Sequence, residues 1–252
     1  MSDMSKDTIP RGTESRLGAV ARRLEAIVPL SQADREVLGR LPHSGEFPAG
    51  HELIALGSVL IAPKFLLSGW ACLSRNLTDG RRQIVDLFVP GDLVGYCSRS
   101  LPARGAYHLI ADGRCADAAH LRELQFRGDL PDGLRTCLRR IEDEQQARLV
   151  DHIVRLGSMY SHERFAQLVQ DLHRRLDRVG MVTADSFAVP LTQEMLGDML
   201  GMSAVHVNRT VQVFRREKIL KTSPGRWQIL DHDRLGLFAS GEHGRLGTIH
   251  VA

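Results

Sequence analysis

Cysteine is sparse and scattered in this chain. Cys72, Cys97, Cys115 and Cys137 lie far apart, no C-x-x-C occurs, and no Cys/His spacing matches a structural zinc site. A zinc-organised fold is thereby excluded, and buried free thiols in a reducing cytosol are the expectation. Cys97 and Cys137 are the two positions where a redox switch is conceivable, a buried thiol being the plainer reading. Long apolar runs are also missing. The start, MSDMSKDTIPRGTESR, is polar and lacks the apolar core of a secretion signal. The most membrane-like stretch, residues 51–70, is broken by Gly57, Pro63 and Lys64 into strand-sized pieces, which excludes a spanning helix there. A cytoplasmic location follows as the expectation. Neither a glycine-rich phosphate loop nor a nucleophile–base arrangement is present, so the chain is not expected to be an enzyme. The net charge of +3 is too mild to argue for nucleic acid by itself.

A chain of 252 residues holds two modest domains, each with its own core. Its informative stretch is Leu191 to Leu220, LTQEMLGDMLGMSAVHVNRTVQVFRREKIL. It reads as two short helices joined by a tight turn. Thr192 is a candidate N-cap, Glu194 sits in the first turn where negative charge is favoured, and Gly201 follows the first helix where φ > 0 is often needed. Ser203 caps a second helix running to about Lys218. Leu196, Leu200, Met202, Val207, Val211 and Phe214 recur at helical spacing and pack the pair together. Gly197 has no side chain to block close approach. Outside that apolar set the second helix carries Ala204, Val205, His206, Asn208, Arg209, Gln212, Arg215 and Arg216. From Ser203 to Lys221 there are three Arg and two Lys against one Glu. Asn and Arg make bidentate hydrogen bonds to adenine and guanine edges, while Arg and Lys neutralise phosphates. An ordinary solvated helix face explains the charges but not the glycine turn beside a small-residue helix start. A DNA-binding helix-turn-helix is the reading.

The rest of the chain falls into place around it. Residues 1–15 read as a disordered tail. Arg16 to Ile27 has helical periodicity, and Ser31 to Leu41 is a second short helix with Ser31 as N-cap. From Glu46 to about Leu124 short apolar runs alternate with turn signals. The runs include 51–56, 65–67, 70–73, 83–88 and 107–111, and this spacing predicts an antiparallel barrel or jelly roll. Asp79-Gly80 is a strong hairpin turn. Between Gly133 and Gly157 neither Gly nor Pro occurs. Leu134, Leu138, Ile141, Gln145, Leu149, Ile153 and Leu156 recur there at three- and four-residue steps, which predicts one long helix with a narrow stripe suited to a dimer seam. Ser161 to Val179 is a further helix. Beyond the helix-turn-helix, 219–222 and 227–230 flank Ser223-Pro224-Gly225-Arg226 as a two-stranded wing. The boundaries drawn are a roll at 16–128, a dimerisation helix at 129–157, a winged helix-turn-helix at 158–236 and a flexible tail at 237–252. The fold class is α+β.

This order of parts resembles the Crp/Fnr superfamily of bacterial transcription regulators over about residues 20–235. Gly57, Gly69, Gly80 and Gly91 fall where that family's cyclic-nucleotide-type β-roll turns. Asp79-Gly80-Arg81-Arg82-Gln83-Ile84 and Val89-Pro90-Gly91-Asp92 are similar to its hairpin and the strand exit after it. Leu200 to Thr210, LGMSAVHVNRT, is similar to an alphaproteobacterial-looking subgroup that reads V-x-H-V-N-R or close variants. The resemblance implies a homodimer reading a palindromic operator, with RNA polymerase as a further partner. It also exposes departures. Where cyclic-AMP-binding members carry a Glu for the ribose and an Arg-Ser pair for the phosphate, this chain has Tyr96, Ala106 and Tyr107, which argues against cyclic AMP. No Cys precedes Cys72, which argues against the iron–sulfur cluster of oxygen-sensing members. Haem is left open, since one His can suffice. Where many members carry a Glu in the recognition helix, this chain has Val205.

The residues assigned to DNA are Thr192, Gln193, Ser203, Val205, His206, Asn208, Arg209, Gln212, Arg215, Arg216, Lys221 and Arg226. Arg209 matches the family's base-reading position. Thr192 and Gln193 suit phosphate contact, as do Lys221 and Arg226 of the wing. Tyr96, Arg99 and His108 are candidates for an effector pocket. No cofactor and no metal is expected. Two other readings stand beside this one. In the first, the roll is only a scaffold for dimerisation and RNA polymerase contact. In the second, the roll is a cupin-like enzyme, for which His51, His108 and His120 lack the close H-x-H spacing.

Overall fold

The computed structural model describes residues 11–99 and 101–242. The expected N-terminal tail lies outside the described residues over 1–10, and the expected C-terminal tail over 243–252; residues 237–239, also expected in that tail, instead end a helix in which Phe238 is fully buried against the core. Helix α1, Arg11–Glu25, starts ahead of the expected Arg16, so the last five residues of the supposed tail are helical. A break at Leu17 (φ −114°, ψ 19°) separates it from the amphipathic part, where Leu17, Val20 and Leu24 are buried. Helix α2, Gln32–Gly39, is closed at its start by a reciprocal capping box between Ser31 and Asp34. Asp34 also accepts from the backbone N–H of Leu134 at 2.8 Å, which ties this helix to the long one.

Eight strands follow: β1 (His43–Phe47), β2 (Glu52–Ile54), β3 (Lys64–Ser68), β4 (Ala71–Asn76), β5 (Arg82–Phe88), β6 (Leu93–Val94), β7 (Ala106–Leu109) and β8 (Gly113–Asp117). They pair antiparallel in two four-stranded sheets, β1-β8-β3-β6 and β2-β7-β4-β5. The β4–β5 hairpin turns at Asp79-Gly80 as its sequence predicts, with the Leu77 N–H donating to Arg81 O at 2.7 Å. Between the sheets Leu60, Leu66, Phe88, Val94, Tyr107 and Leu109 form an apolar core, and the Phe88 and Tyr107 rings lie 5.8 Å apart. Among the described residues the two sheets do not join into a closed barrel.

Short helix α3, Ala119–Arg127, leads to the 27-residue α4, Asp132–Ser158, and then to α5, Ser161–Arg178. The stripe along α4 does two different things, and the expected single seam is corrected. Leu134, Leu138 and Ile141 are buried against Leu24, Leu38, Leu121 and their neighbours, so the first half of the stripe is consumed within the chain. Gln145 donates its amide to Leu93 O at 2.9 Å. Only the second half is free. Leu149, Val150, Ile153 and Val154 are exposed, Ile153 by 70%, and Leu156 is half-buried. Hydrophobic spacing alone does not say which partner a stripe meets.

The C-terminal part is a winged helix. Strand β9 (Ser186–Ala188) precedes α6 (Gln193–Leu200) and α7 (Ala204–Arg216), and β10 (Leu220–Ser223) and β11 (Arg226–Ile229) lead to α8 (His232–Ala239). The wing has three strands, not the expected two, in the order β10-β11-β9. The extended 187–190 segment supplies the third by pairing Phe187 with Trp227. Phe165, Phe187, Phe214 and Phe238 are fully buried at its centre.

This core continues into the roll. Trp70, Cys72, Ile84 and Leu87 on the outer side of β4–β5 pack with Leu168, Leu196 and Met199. Polar groups reinforce the junction. Arg82 binds Asp198 at 2.7 Å, and Gln83 donates to Asp198 O. Arg148 of α4 grips Asp86 through two nitrogens at 3.0 and 2.7 Å. A cavity of about 270 Å³ opens here, between β5, α4, α5 and α8. Arg155 lines it, its Nε donating to Gln167 Oε1 at 3.0 Å.

Candidate nucleic-acid interface

The two helices of the expected reading unit are held by local chemistry that their sequence spells out. Thr192 Oγ1 accepts from the Met195 N–H at 3.1 Å and Ser203 Oγ from the His206 N–H at 3.2 Å, so each helix starts on a side-chain cap. Gly201 ends α6 at φ 64°, a left-handed conformation that favours glycine. Gly197 faces the turn so closely that a Cβ there would stand 2.5 Å from Met202 O. The turn closes with the Met202 N–H donating to Gly197 O at 3.0 Å. Val207, Thr210 and Phe214 point inward, and Thr210 returns its hydroxyl to His206 O at 3.0 Å.

What α7 shows to solvent is Val205, His206, Asn208, Arg209, Gln212, Arg215 and Arg216. Val205 is 65% exposed, which puts an apolar group at the edge of an otherwise polar face. Positions 205, 208, 209 and 212 share one side at three- and four-residue steps. The side chains of Asn208, Arg209, Gln212 and Arg215 make no hydrogen bond or ion pair with another described residue, so their side-chain donors are free. Arg216 touches Glu217 at 3.6 Å. That acid is already engaged by Arg234 at 3.1 Å, which leaves the face cationic. No acid sits in the first turn of α7, so the positive end of the helix dipole is uncompensated there. Thr192 and Gln193 are exposed at the start of α6. In the wing, Lys221 and Arg226 are exposed, and Gly225 (φ 70°) makes the turn between their strands. Arg226 rests on Ser186 Oγ at 3.3 Å, a contact a ligand would have to replace.

The expected effector triad is not a pocket, and this is a correction. The Tyr96 side chain is buried among Leu93, Leu121 and their neighbours, and its hydroxyl donates to Gln125 Oε1 at 2.7 Å. Burial pushes its ionisation up to about 12. His108 belongs to the other sheet, with Nε2 2.8 Å from Ser74 Oγ, and burial together with Arg82 pulls its pKa down. Arg99 is exposed. The strand alternation turns Tyr107, not His108, into the roll. The described side chains that fill the interior are apolar apart from Tyr107 and the cysteines.

The cysteines are free. Burial pushes the Cys72 thiol up to about 12 and those of Cys115 and Cys137 to about 11. Cys97 is half-buried beside the roll interior. No described helix is long and apolar enough to cross a membrane.

Sequence reasoning missed two arrangements here. One is the salt bridge from Arg82 on the hairpin to Asp198 on α6, for which no local signal exists. The other is a group formed by His173, Asp185 and His232 beside the wing. Its members are spread over three elements, Asp185 and His232 being 47 residues apart, so spacing could not reveal it.

Comparison with known proteins agrees with this geometry. Residues 163–238 match the Crp-like helix-turn-helix domain family. Over 240 residues the chain is 27% identical to the transcriptional activatory protein AadR of Rhodopseudomonas palustris, covering 92% of this chain and 96% of that one. It is 26% identical over 235 residues to the nitrogen fixation regulation protein FixK of Bradyrhizobium diazoefficiens, covering 89% and 91%. The solved structure of FixK2 from Bradyrhizobium japonicum superposes with a TM-score of 0.69 at 22% identity, covering 79% of this chain and 96% of that one.

Proposed function

We propose that the chain is a transcriptional regulator of the Crp/Fnr type and that it acts as a homodimer that reads a palindromic operator with helix 203–217 in the major groove. The observation that carries this reading is the free, acid-poor face of α7, with Asn208 and Arg209 side by side and unpartnered. Arg209 reads a base edge, His206 and Asn208 share base and backbone contact, and Val205 suits a thymine methyl. Gln212, Arg215 and Arg216 lie farther along and meet phosphate, as do Thr192, Gln193, Lys221 and Arg226. Ser203 caps the helix more than it reads. The His206-Val207-Asn208-Arg209 run supports the V-x-H-V-N-R subgroup, and with it an operator different from those read through a Glu. Self-association runs through the exposed Leu149, Val150, Ile153 and Val154 of α4, an apolar face on an otherwise solvated helix turn. Two such chains present two recognition helices to successive half-sites. RNA polymerase is the further partner. Non-catalytic relatives are consistent with a non-enzymatic role.

In this reading the roll receives a signal and passes it through the β4–β5 hairpin, whose Arg82 holds Asp198 of α6. A second reading, the roll as a ligand-free scaffold, is favoured by its apolar, side-chain-filled interior. A thermal-shift screen with nucleotides, haem, metals and oxidants separates the two. A response located to the roll supports sensing, and silence throughout supports the scaffold. DNA binding itself is tested by genome-wide footprinting. Protected sites with two-fold symmetry support the proposal, and protection without symmetry or sequence preference overturns it.

A further inference from the structure

Beside the wing, three side chains from three separate elements converge on one point. His173 comes from the middle of α5, Asp185 from the turn before β9, and His232 from the first position of α8. The two imidazoles direct the same nitrogen at the same oxygen: His232 Nε2 lies 2.9 Å and His173 Nε2 3.5 Å from Asp185 Oδ1. One ligating atom from each residue falls within 4.8 Å of the others. His173 Nε2 is a buried atom whose approach to Asp185 Oδ1 is too long and poorly aligned to satisfy it, and it makes no other hydrogen bond among the described residues, an unusual condition for a polar atom.

The positions are fixed by the fold and not by the contact itself. His173 is packed edge-on against Phe187, ring centroids 5.5 Å apart. The turn carrying Asp185 is tight, with Ala184 and Asp185 both at positive φ (48° and 57°) and Thr183 and Ser186 exchanging backbone hydrogen bonds at 3.0 Å. Its carbonyls are held by the wing, Asp185 O by the Ile229 N–H and Ala184 O by the Gln228 amide, each at 3.0 Å. His232 is placed by the Asp231 cap of α8. A site whose ligands stand ready before the ligand arrives loses little entropy on binding.

We propose that His173, Asp185 and His232 bind one divalent transition-metal ion, with Zn²⁺ the best fit. Two neutral imidazoles and one carboxylate are a borderline donor set that suits Zn²⁺ and lacks the thiolates a softer ion would need. Zinc bonds of about 2.0–2.2 Å in a tetrahedron separate ligand atoms by roughly 3.3–3.5 Å, which the observed separations bracket. Among the described residues no fourth His, Cys, Asp or Glu joins the group, so the remaining position takes water. Three protein ligands and an open position make an exchangeable site, not a closed structural one. The ion would fasten α5, the turn before β9 and the start of α8 together, and so clamp the wing sheet to the helix that crosses under it. This goes beyond the DNA-reading proposal and does not depend on it.

The test uses the full-length, tag-free protein stripped with a chelator and titrated with Co²⁺ as a spectroscopic stand-in, then with Zn²⁺. The wild type is expected to take up one ion per chain at this site, to show the visible absorption of four-coordinate Co²⁺ with nitrogen ligands, and to lose it to Zn²⁺. His232→Gln and Asp185→Asn each remove one ligand at an exposed position, and Asn tolerates the positive φ at residue 185. Each is expected to weaken uptake about tenfold or more while melting like the wild type in the metal-free state. Zn²⁺ is expected to raise the melting temperature of the wild type but not of either variant. The proposal is overturned if the wild type binds neither ion at micromolar concentration, or if both variants bind as the wild type does.

Discussion

Arg175 of α5 donates to Asp92, the last residue of the Val89-Pro90-Gly91-Asp92 turn, across a fully buried contact of 2.5 Å. The same carboxylate accepts from the Val89 N–H at 2.8 Å, and Arg175 also reaches Leu87 O. A turn of the roll is thus bonded to the helix that carries the reading unit. Burial opposes ionisation of Asp92, but Arg175, Arg148 and Arg23 together hold its carboxyl below the ordinary range. A carboxylate with a lowered folded-state pKa stabilises fully above its unfolded value and loses that contribution as pH falls through the folded value. The stability of the chain should therefore hold above about pH 5 and decline in acid. Asp92→Asn should cost about 3 kcal/mol at neutral pH, since it leaves Arg175 buried without its main partner. It should also flatten the acid limb. Urea melts between pH 3 and 8 check both statements.

Gly197→Ala should damage the reading unit without touching its surface. The added methyl meets Met202 O, a backbone atom that cannot swing away. The expected loss is about 1–3 kcal/mol, with DNA affinity falling in step as the α6–α7 angle shifts. Thermal melts and gel-shift titrations of the same preparation read the two effects together.

The corrected stripe on α4 separates two substitutions that hydrophobic spacing treats alike. Ile153→Glu is at an exposed position and should leave the melting temperature of the chain at infinite dilution unchanged while weakening self-association by about 2 kcal/mol or more. Leu138→Glu buries a charge and should unfold the chain. Sedimentation equilibrium with circular dichroism distinguishes them.

Thiol labelling should follow burial. At pH 8 and in the folded state Cys72, Cys115 and Cys137 should resist alkylation, because desolvation keeps them protonated. Cys97 should react first, by at least about tenfold, since it is the one of the four that is not buried. Mass spectrometry of the labelled peptides gives the order directly.

These contrasts mark what the sequence can say. The α6–α7 pair was legible because its signals are local: Thr192 and Ser203 as caps, Gly201 at the stop, and apolar residues at helical spacing. The Asp79-Gly80 hairpin was legible for the same reason. Strand β6 has only two residues, Leu93 and Val94, and exists by pairing with β3. Strand β8, GRCAD, has little strand propensity of its own and is held between β1 and β3. Helix α8 carries Gly236 in its middle, which hides a helix whose Leu235 and Phe238 complete the core. The fates of Leu138 and Ile153, and the parting of Tyr96 from His108, depend on tertiary neighbours that no window of sequence contains.

The most direct measurement is the affinity of wild type and Arg209→Ala for the operator recovered by footprinting and for single-base variants of each half-site. Loss of about 1–3 kcal/mol on the operator, with preference flattened at one position per half-site, is the expected result. Unchanged affinity and unchanged preference would contradict the assignment of α7 as the reading helix.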